Sequence, residues 1–218
     1  MSYYGDGRVS ADFCGLARRQ RQAQNPECTH LYFNGCGGNI GAGKYNNGSK
    51  QARKTLTNRL LQGIIASEAS MTREPIKSVN WATQEILPPL NQAFDETALM
   101  KEITNKSNRP VARNRPAYAV AFMRRIEQQI PLLLNALHIN DASFLHLPAE
   151  CFIEYQLRAQ AAASDRFVAC AAYGDGGPWY IRTRNAYPQG GYAVSVAWCG
   201  PEMDAMLSGG IESLLNQA

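Results

Sequence analysis

Strand-length apolar runs alternate with longer stretches of helical periodicity along this sequence. That alternation predicts an α/β fold, a single domain over residues 1–218 with a mixed sheet flanked by helices. The glycine-rich stretch Leu31 to Lys54, which reads as strand, loop and helix in that order, points to the same class. No internal repeat and no linker with a shift in composition divides the chain. With 218 residues, 45% of them hydrophobic and 18% charged, it can build one sizeable core.

Ser2 to Asp12, with Gly5, Asp6 and Gly7, reads as a loop, and Tyr3-Tyr4 in it has no preceding element to pack on. Ala11 to Gln24 reads as a helix, with Phe13, Leu16 and Ala17 apolar and Arg18, Arg19 and Arg21 on a solvated basic face. Leu31, Tyr32 and Phe33 suit a buried strand. Gly35, Gly37, Gly38, Gly41 and Gly43 follow as a loop whose backbone N–H groups can face an anion. Ser49 is placed to cap a helix running to about Ser67, in which Ala52, Leu56, Leu60 and Ile64 recur four apart.

Ile76 to Gln84 alternates like a strand, and Pro88-Pro89 then breaks the chain. The pattern predicts a helix over Asn91 to Asn105, a polar loop over Asn105 to Pro116, and a helix over Ala117 to Gln129. Pro131 to Asn140 and Ala142 to Leu147 read as strands joined in a hairpin. Pro148 is read as opening a helix that runs to about Ala163, with Glu150 in its first turn. A carboxylate there stands where ligands gather in open α/β sheets, and it equally complements a helix dipole. Arg166 to Ala172, RFVACAA, is apolar enough for a central strand. Tyr173 to Tyr192 is a long loop whose tyrosines and Trp179 argue for order and whose length argues for function. Pro201 to Asn216 closes the chain as a helix.

The formal net charge of +4 is too small to argue for nucleic acid. The start MSYYGDGRVS lacks the basic opening and apolar core of a secretory signal, and no apolar run approaches the roughly 20 residues of a membrane span. A soluble, cytoplasmic chain is the expectation. Cys14, Cys28, Cys36, Cys151, Cys170 and Cys199 form no C-x-x-C pair and read as buried free thiols. Cys36 stands apart because it sits in the glycine loop, where Lys44 or His30 could act as the basic neighbour a thiolate needs.

Gly38 to Lys44, GNIGAGK, fits seven positions of the phosphate-loop pattern. The eighth is Tyr45 rather than Ser or Thr, and Asn46-Asn47-Gly48 delays the helix to about Ser49. A nucleotide-binding loop and a glycine turn without chemistry both stay open on these residues.

Three segments, YFNGCGGNIGAGKYNNGS, FLHLPAECFIEYQL and AAYGDGGPWYIRTRNAYPQGGY, resemble the neutral/alkaline non-lysosomal ceramidase family, and the resemblance runs from about Ser2 to the end of the chain. It implies a zinc-dependent amidohydrolase that cleaves an N-acyl amide in a lipid-like substrate. The family's P-G-E glutamate, a zinc ligand, falls on Glu150, with Ala149 in place of the glycine. A tyrosine zinc ligand falls on Tyr180, and an oxyanion-stabilising tyrosine on Tyr192. Asn39, Gly41 and Gly43 fall in the substrate-binding loop. The family's serine, in N-x-G-D-V-S-P-N, falls on Lys44, which the resemblance makes a candidate catalytic cation.

The family's zinc histidines lie upstream of the segment matched here, and His30, His138 and His146 match none of them. The resemblance therefore implies the C-terminal part of a larger zinc-hydrolase domain, with an incomplete Zn2+ site, exposed apolar surface, and an N-terminal partner chain or homo-oligomer. Family members are often exported, unlike the cytoplasmic expectation above. A non-catalytic remnant or binding module is the second reading, and the nucleotide-binding loop the third.

Overall fold

The computed structural model describes residue 7, residues 9–175 and residues 177–218, and of residue 42 the backbone alone. The Tyr3-Tyr4 pair lies outside the described residues. The chain divides into two compact units, Met1–Phe33 with Gly41–Pro75, and Asn34–Ile40 with Ile76–Ala218.

The first unit is a helix pair, α1 (Asp12–Gln24) and α2 (Lys50–Glu68). Arg53 in the first turn of α2 donates to Asp12 in the first turn of α1, 3.1 Å away, and Arg21 near the end of α1 grips Glu68 at the end of α2. The helices therefore run side by side in the same direction. Ala17, Ala52, Leu56 and Leu61 are buried in this unit. Ser49 caps α2, its Oγ accepting the Ala52 N–H at 3.1 Å.

Leu31, Tyr32 and Phe33 are not the buried strand their apolarity predicts. They have no regular structure and are 74%, 44% and 69% exposed. A strand exists only within a ladder that satisfies its N–H and C=O groups, and no ladder includes this short run among the described residues.

The second unit contains β1 (Val79–Ile86), β2 (Leu132–Ile139), β3 (Ala142–Pro148), β4 (Glu150–Cys151), β5 (Phe167–Gly174) and β6 (Tyr180–Ile181). Four of these strands form a sheet in the order β1-β2-β3-β5, antiparallel at the first two joins and parallel at the third. The α/β class, the mixed sheet and the β2–β3 hairpin agree with the sequence reading. β5, expected to be central, ends this order. Its apolarity answers burial under α5 (Ile153–Ala162) and contact with the glycine segment, where the Ala172 N–H donates to the Asn34 carbonyl at 2.9 Å.

Ala82, Ala136, Leu145 and Cys170 stand in one register across the sheet. With Leu132, Leu134 and Leu147 they form its inner face, covered by α5 and α7 (Met203–Leu215). A Cβ on Gly210 would lie 2.5 Å from Leu134 Cδ1, so glycine is what lets α7 approach β2 there. The opposite face carries Trp81 and Phe144, both exposed, and Phe167 edge-on to Phe144 with centroids 6.2 Å apart.

α3 (Glu96–Thr104) and α4 (Pro110–Glu127) form an antiparallel pair pinned by Arg124 on Glu96 at 2.8 Å. The polar loop expected up to Pro116 is therefore mostly helix. Pro110 occupies the first helical position, where its missing N–H removes no bond. Pro116 is tolerated within the helix because it belongs to the buried stripe with Ala119, Val120, Met123 and Ile126. β1 begins later than its alternation suggests, at Val79, and α3 later, at Glu96, after Asp95 whose side chain accepts the Thr97 N–H.

Candidate functional site

Glu150 is not in a helix. Pro148 ends β3, Ala149 turns the chain with φ +59°, and Glu150 enters the two-residue strand β4. α5 starts only at Ile153, so the dipole reading of Glu150 fails, and Glu154 is the acidic residue in that helix's first turn. The turn is pinned on both sides. Ala149 N–H donates to Gly174 O at 3.2 Å, Tyr173 N–H to Ala149 O at 2.8 Å, and Glu150 N–H to Trp179 O at 2.7 Å. Tyr173, Asp175 and Trp179 also have left-handed backbone, with φ of 67°, 51° and 35°. Three of these four, Ala149, Tyr173 and Trp179, contact or adjoin Glu150, a concentration of strain typical of sites that must aim a group.

β4 pairs in parallel with β6, and the register sets Glu150 opposite Tyr180. The Tyr192 ring stands edge-on to Tyr180, centroids 5.8 Å apart at 84°. Tyr192 opens α6 (Tyr192–Ser195) and is exposed; Gly190 and Gly191, with φ of 70° and 86°, supply the turn that presents it. The structure thus gathers three of the sequence-predicted residues, Glu150, Tyr180 and Tyr192.

It adds Tyr173, which sequence reasoning placed only at the start of a loop. Burial, then the Glu150 charge, pushes the Tyr173 hydroxyl up to about 12. Burial, then hydrogen bonding to Glu150, raises Tyr180 likewise. Both phenols stay protonated at neutral pH and flank a carboxylate. Behind them Trp179 stacks on Trp198, centroids 5.1 Å apart, and Trp198 packs on Phe122 of α4. The signal for Tyr173 was its place after RFVACAA, at the end of the strand parallel to β3.

The glycine segment Asn34–Ile40 docks on this strand pair. Gly38 N–H donates to Cys151 O at 2.8 Å, and a Cβ there would lie 2.6 Å from the Glu150 carbonyl oxygen. A Cβ on Gly37 would meet the Tyr173 hydroxyl at 3.2 Å. Asn39 has a structural partner set. Its amide nitrogen donates to Glu154 at 2.9 Å and its oxygen accepts the Ile153 N–H at 2.9 Å, so it caps α5 from outside the helix. A cleft of about 440 Å³ opens beside Asn39, Glu154, Arg158, Thr183, Asn185 and Gln189.

Gly41, Gly43 and Lys44 belong to the first unit. Lys44 is exposed in a 3-10 turn, Ala42–Tyr45, its Nζ 5.4 Å from the Tyr45 ring centroid. The next helix begins at Lys50. The helix N-terminus that a phosphate loop sets at its lysine is therefore absent from Lys44.

Cys36, Cys151 and Cys199 are buried, and Cys14, Cys28 and Cys170 half-buried. Hydrogen bonds from Cys151 and Cys170 pull the Cys36 thiol down, yet at 2% exposure it is closed to a substrate. None of the histidines stands with Glu150 and Tyr180 in a metal-holding group among the described residues. His30 bonds to Glu68 at 2.9 Å, His138 is buried against Ser143 at 2.9 Å and held neutral by desolvation, and His146 packs over Gly174.

No protein-family model and no curated protein sequence matches the chain. Solved structures do. A neutral ceramidase from Pseudomonas aeruginosa superposes with a TM-score of 0.63 at 14% identity, covering 96% of this chain and 41% of that one. A ceramidase complexed with C2 gives 0.64 at 12% identity, covering 95% and 42%. This chain has a ceramidase-like fold. It spans about two fifths of the length of the structures it matches.

Among the described residues no group of three or more His, Cys, Asp or Glu side chains is arranged to hold a metal. Glu150 and Tyr180 are chemically suited to zinc, as carboxylate and phenol oxygens on paired strands, but they are two donors where a catalytic zinc ordinarily takes three from protein. No helix among the described residues is long and apolar enough to cross a membrane.

Proposed function

We propose that this chain is part of a ceramidase-like amidohydrolase acting on an N-acyl amide in a lipid-like substrate. The observation that carries the reading is the parallel pairing that sets Glu150 opposite Tyr180, with Tyr192 edge-on beside them. The ceramidase-like fold supports it.

Glu150 and Tyr180 would hold zinc through two oxygen ligands, and the remaining ligands would have to come from another segment, a partner chain or a second copy. The chemistry such a site would supply is Lewis-acid polarisation of an amide carbonyl. Tyr192 donates its O–H toward the oxygen on which negative charge develops, a contribution available only in the transition state. Tyr173 and Trp179 hold Glu150 in place, and the Trp179–Trp198 stack backs the site. Lys44 stands at the family's serine position by resemblance alone, and no step is assigned to it.

Calorimetric titration of zinc into the chain tests the assignment, beside Glu150→Gln and Tyr180→Phe. Each substitution is expected to weaken zinc binding by at least about 100-fold, beyond the usual effect of losing an outer-shell partner. Zinc binding indifferent to both would sink it. Turnover of a fluorogenic N-acyl amide, reduced in Tyr192→Phe with zinc affinity unchanged, then tests the oxyanion role.

A further inference from the structure

Arg182 lies on the chain just after β6, between Ile181 and Thr183, and all three are buried. At 1% exposure Arg182 is among the largest fully buried side chains of the protein. Its carbonyl accepts the Tyr155 hydroxyl at 2.8 Å, which fixes the backbone. Its guanidinium carbon lies over the Tyr187 ring, 3.5 Å from the centroid, and the Tyr187 hydroxyl donates to Cys199 O at 2.6 Å.

Among the described residues this cation meets the Tyr187 side chain but no carboxylate. Nε and Nη1 are both buried and neither has an acceptor. The nearby carboxylates have other partners or are exposed. Asp204 accepts from Arg158 at 2.6 Å and from the Arg184 N–H at 2.8 Å, Glu154 accepts from Asn39, and Glu202 is exposed. An arginine does not shed its proton to escape burial. Stacking on one tyrosine recovers only part of what desolvating a guanidinium costs.

We propose that Arg182, backed by Tyr187, is a receptor for a small carboxylate-type monoanion. The planar guanidinium matches a carboxylate in shape and donor direction. One buried positive charge balances one negative charge, whereas a dianion would strand the second. Arg182 and Tyr187 do not themselves line the 440 Å³ cleft, but Thr183, Asn185 and Ala186 beside them in sequence do, and the anion enters from that side. The site uses neither Glu150 nor Tyr180, and it stands whether or not the chain is a hydrolase.

Sodium acetate is the probe, titrated into the full 218-residue chain at fixed ionic strength. Two readouts are followed, the arginine Nε–H resonances by heteronuclear NMR and the melting temperature. The expected result is a saturable shift of one arginine Nε–H resonance, the one missing from Arg182→Met, with a rise of several degrees in melting temperature at saturation. Arg182→Met should show no acetate-specific rise. Arg182→Lys serves for the assignment if the methionine variant fails to fold, because it keeps a cation while removing the resonance. An acetate titration that shifts no arginine resonance overturns the proposal, and so does an equal thermal response in wild type and variant.

Discussion

Glu150 and Tyr180 stand directly opposite each other in a parallel ladder only two residues long. So short a ladder is held by its surroundings. Glu150 N–H donates to Trp179 O and Phe152 N–H to Ile181 O at 2.9 Å, while the Gly38 N–H caps Cys151 O from the outer side. Three chain segments far apart in sequence thus converge on one carboxylate. None of them positions it alone.

The two side chains should therefore be coupled even without metal. Glu150→Gln, Tyr180→Phe and the double variant form a cycle on thermal stability. A coupling of about 1 kcal/mol is expected, the size of one partly exposed charge-assisted hydrogen bond. Strict additivity would show that the opposed Cα positions do not bring the side chains into contact.

Glycines in the same motif should respond differently. A Cβ on Gly38 meets backbone oxygens of Glu150 and Cys151 at 2.6 and 2.9 Å, and backbone cannot rotate away as a side-chain tip can. Gly43 has nothing within 4 Å. Gly38→Ala should cost about 1–3 kcal/mol, in the range of overpacking, and weaken zinc binding by displacing Glu150. Gly43→Ala should stay within about 0.5 kcal/mol of wild type. Chemical denaturation of both variants checks this, and equal effects would refute the close packing at Gly38.

The same contrast explains what the sequence could and could not disclose. Periodicity located α1, α2, α5, α7 and the β2–β3 hairpin, because each buries one face at a regular spacing. It failed at Leu31–Phe33, where apolar residues lack a ladder, and at Pro116, where a stripe of buried residues outweighs a helix breaker. It also failed at Glu150. A two-residue strand has no period to detect, and a proline before it reads as a helix start. The left-handed turn at Ala149 had no local signal, since alanine is a helix former. Glu150 was singled out by its place after a strand, Tyr180 and Tyr192 were named through the family resemblance, and the fold brings those three together. Tyr173 was missed because its contact with Glu150 is made across strands, a relation that spacing along the chain does not encode.

Ala149 offers a direct test of that turn. Its φ of +59° costs an L-residue about 1–2 kcal/mol relative to right-handed backbone. Ala149→Gly relieves this but adds unfolded-chain entropy of about 0.5–1 kcal/mol and loses a buried methyl worth about 0.8 kcal/mol. The terms nearly cancel, so a change within about 0.5 kcal/mol is expected at a 6%-exposed position. Ala159 is 1% exposed within α5 and has no strain to relieve. Ala159→Gly should cost about 1.5–2 kcal/mol from helix propensity and lost burial together. If both variants are destabilised alike, Ala149 is not in the left-handed conformation.

In the first unit the acid limb of stability should be set by Glu68. Arg21 donates from Nε to both carboxylate oxygens at 2.9 Å and from Nη2 as well, and His30 Nε2 lies 2.9 Å from Oε1. Hydrogen bonding from Arg21, then from His30, holds the Glu68 carboxyl down at about 2 against its ordinary 4.5. A depressed carboxyl binds protons less readily folded than unfolded, so its stabilisation is complete above the unfolded value and disappears as pH falls toward the folded one. The window is pH 4.5 to about 2. Glu68→Gln should be less stable than wild type at neutral pH, and the two melting curves should converge across that window, because protonation gives wild type the same neutral group. Melting temperatures by circular dichroism at successive pH values measure it. The difference between the curves removes what other carboxylates contribute to both. Curves that stay parallel down to pH 2 would mean that the Arg21–Glu68–His30 cluster does not link α1 to α2 in solution.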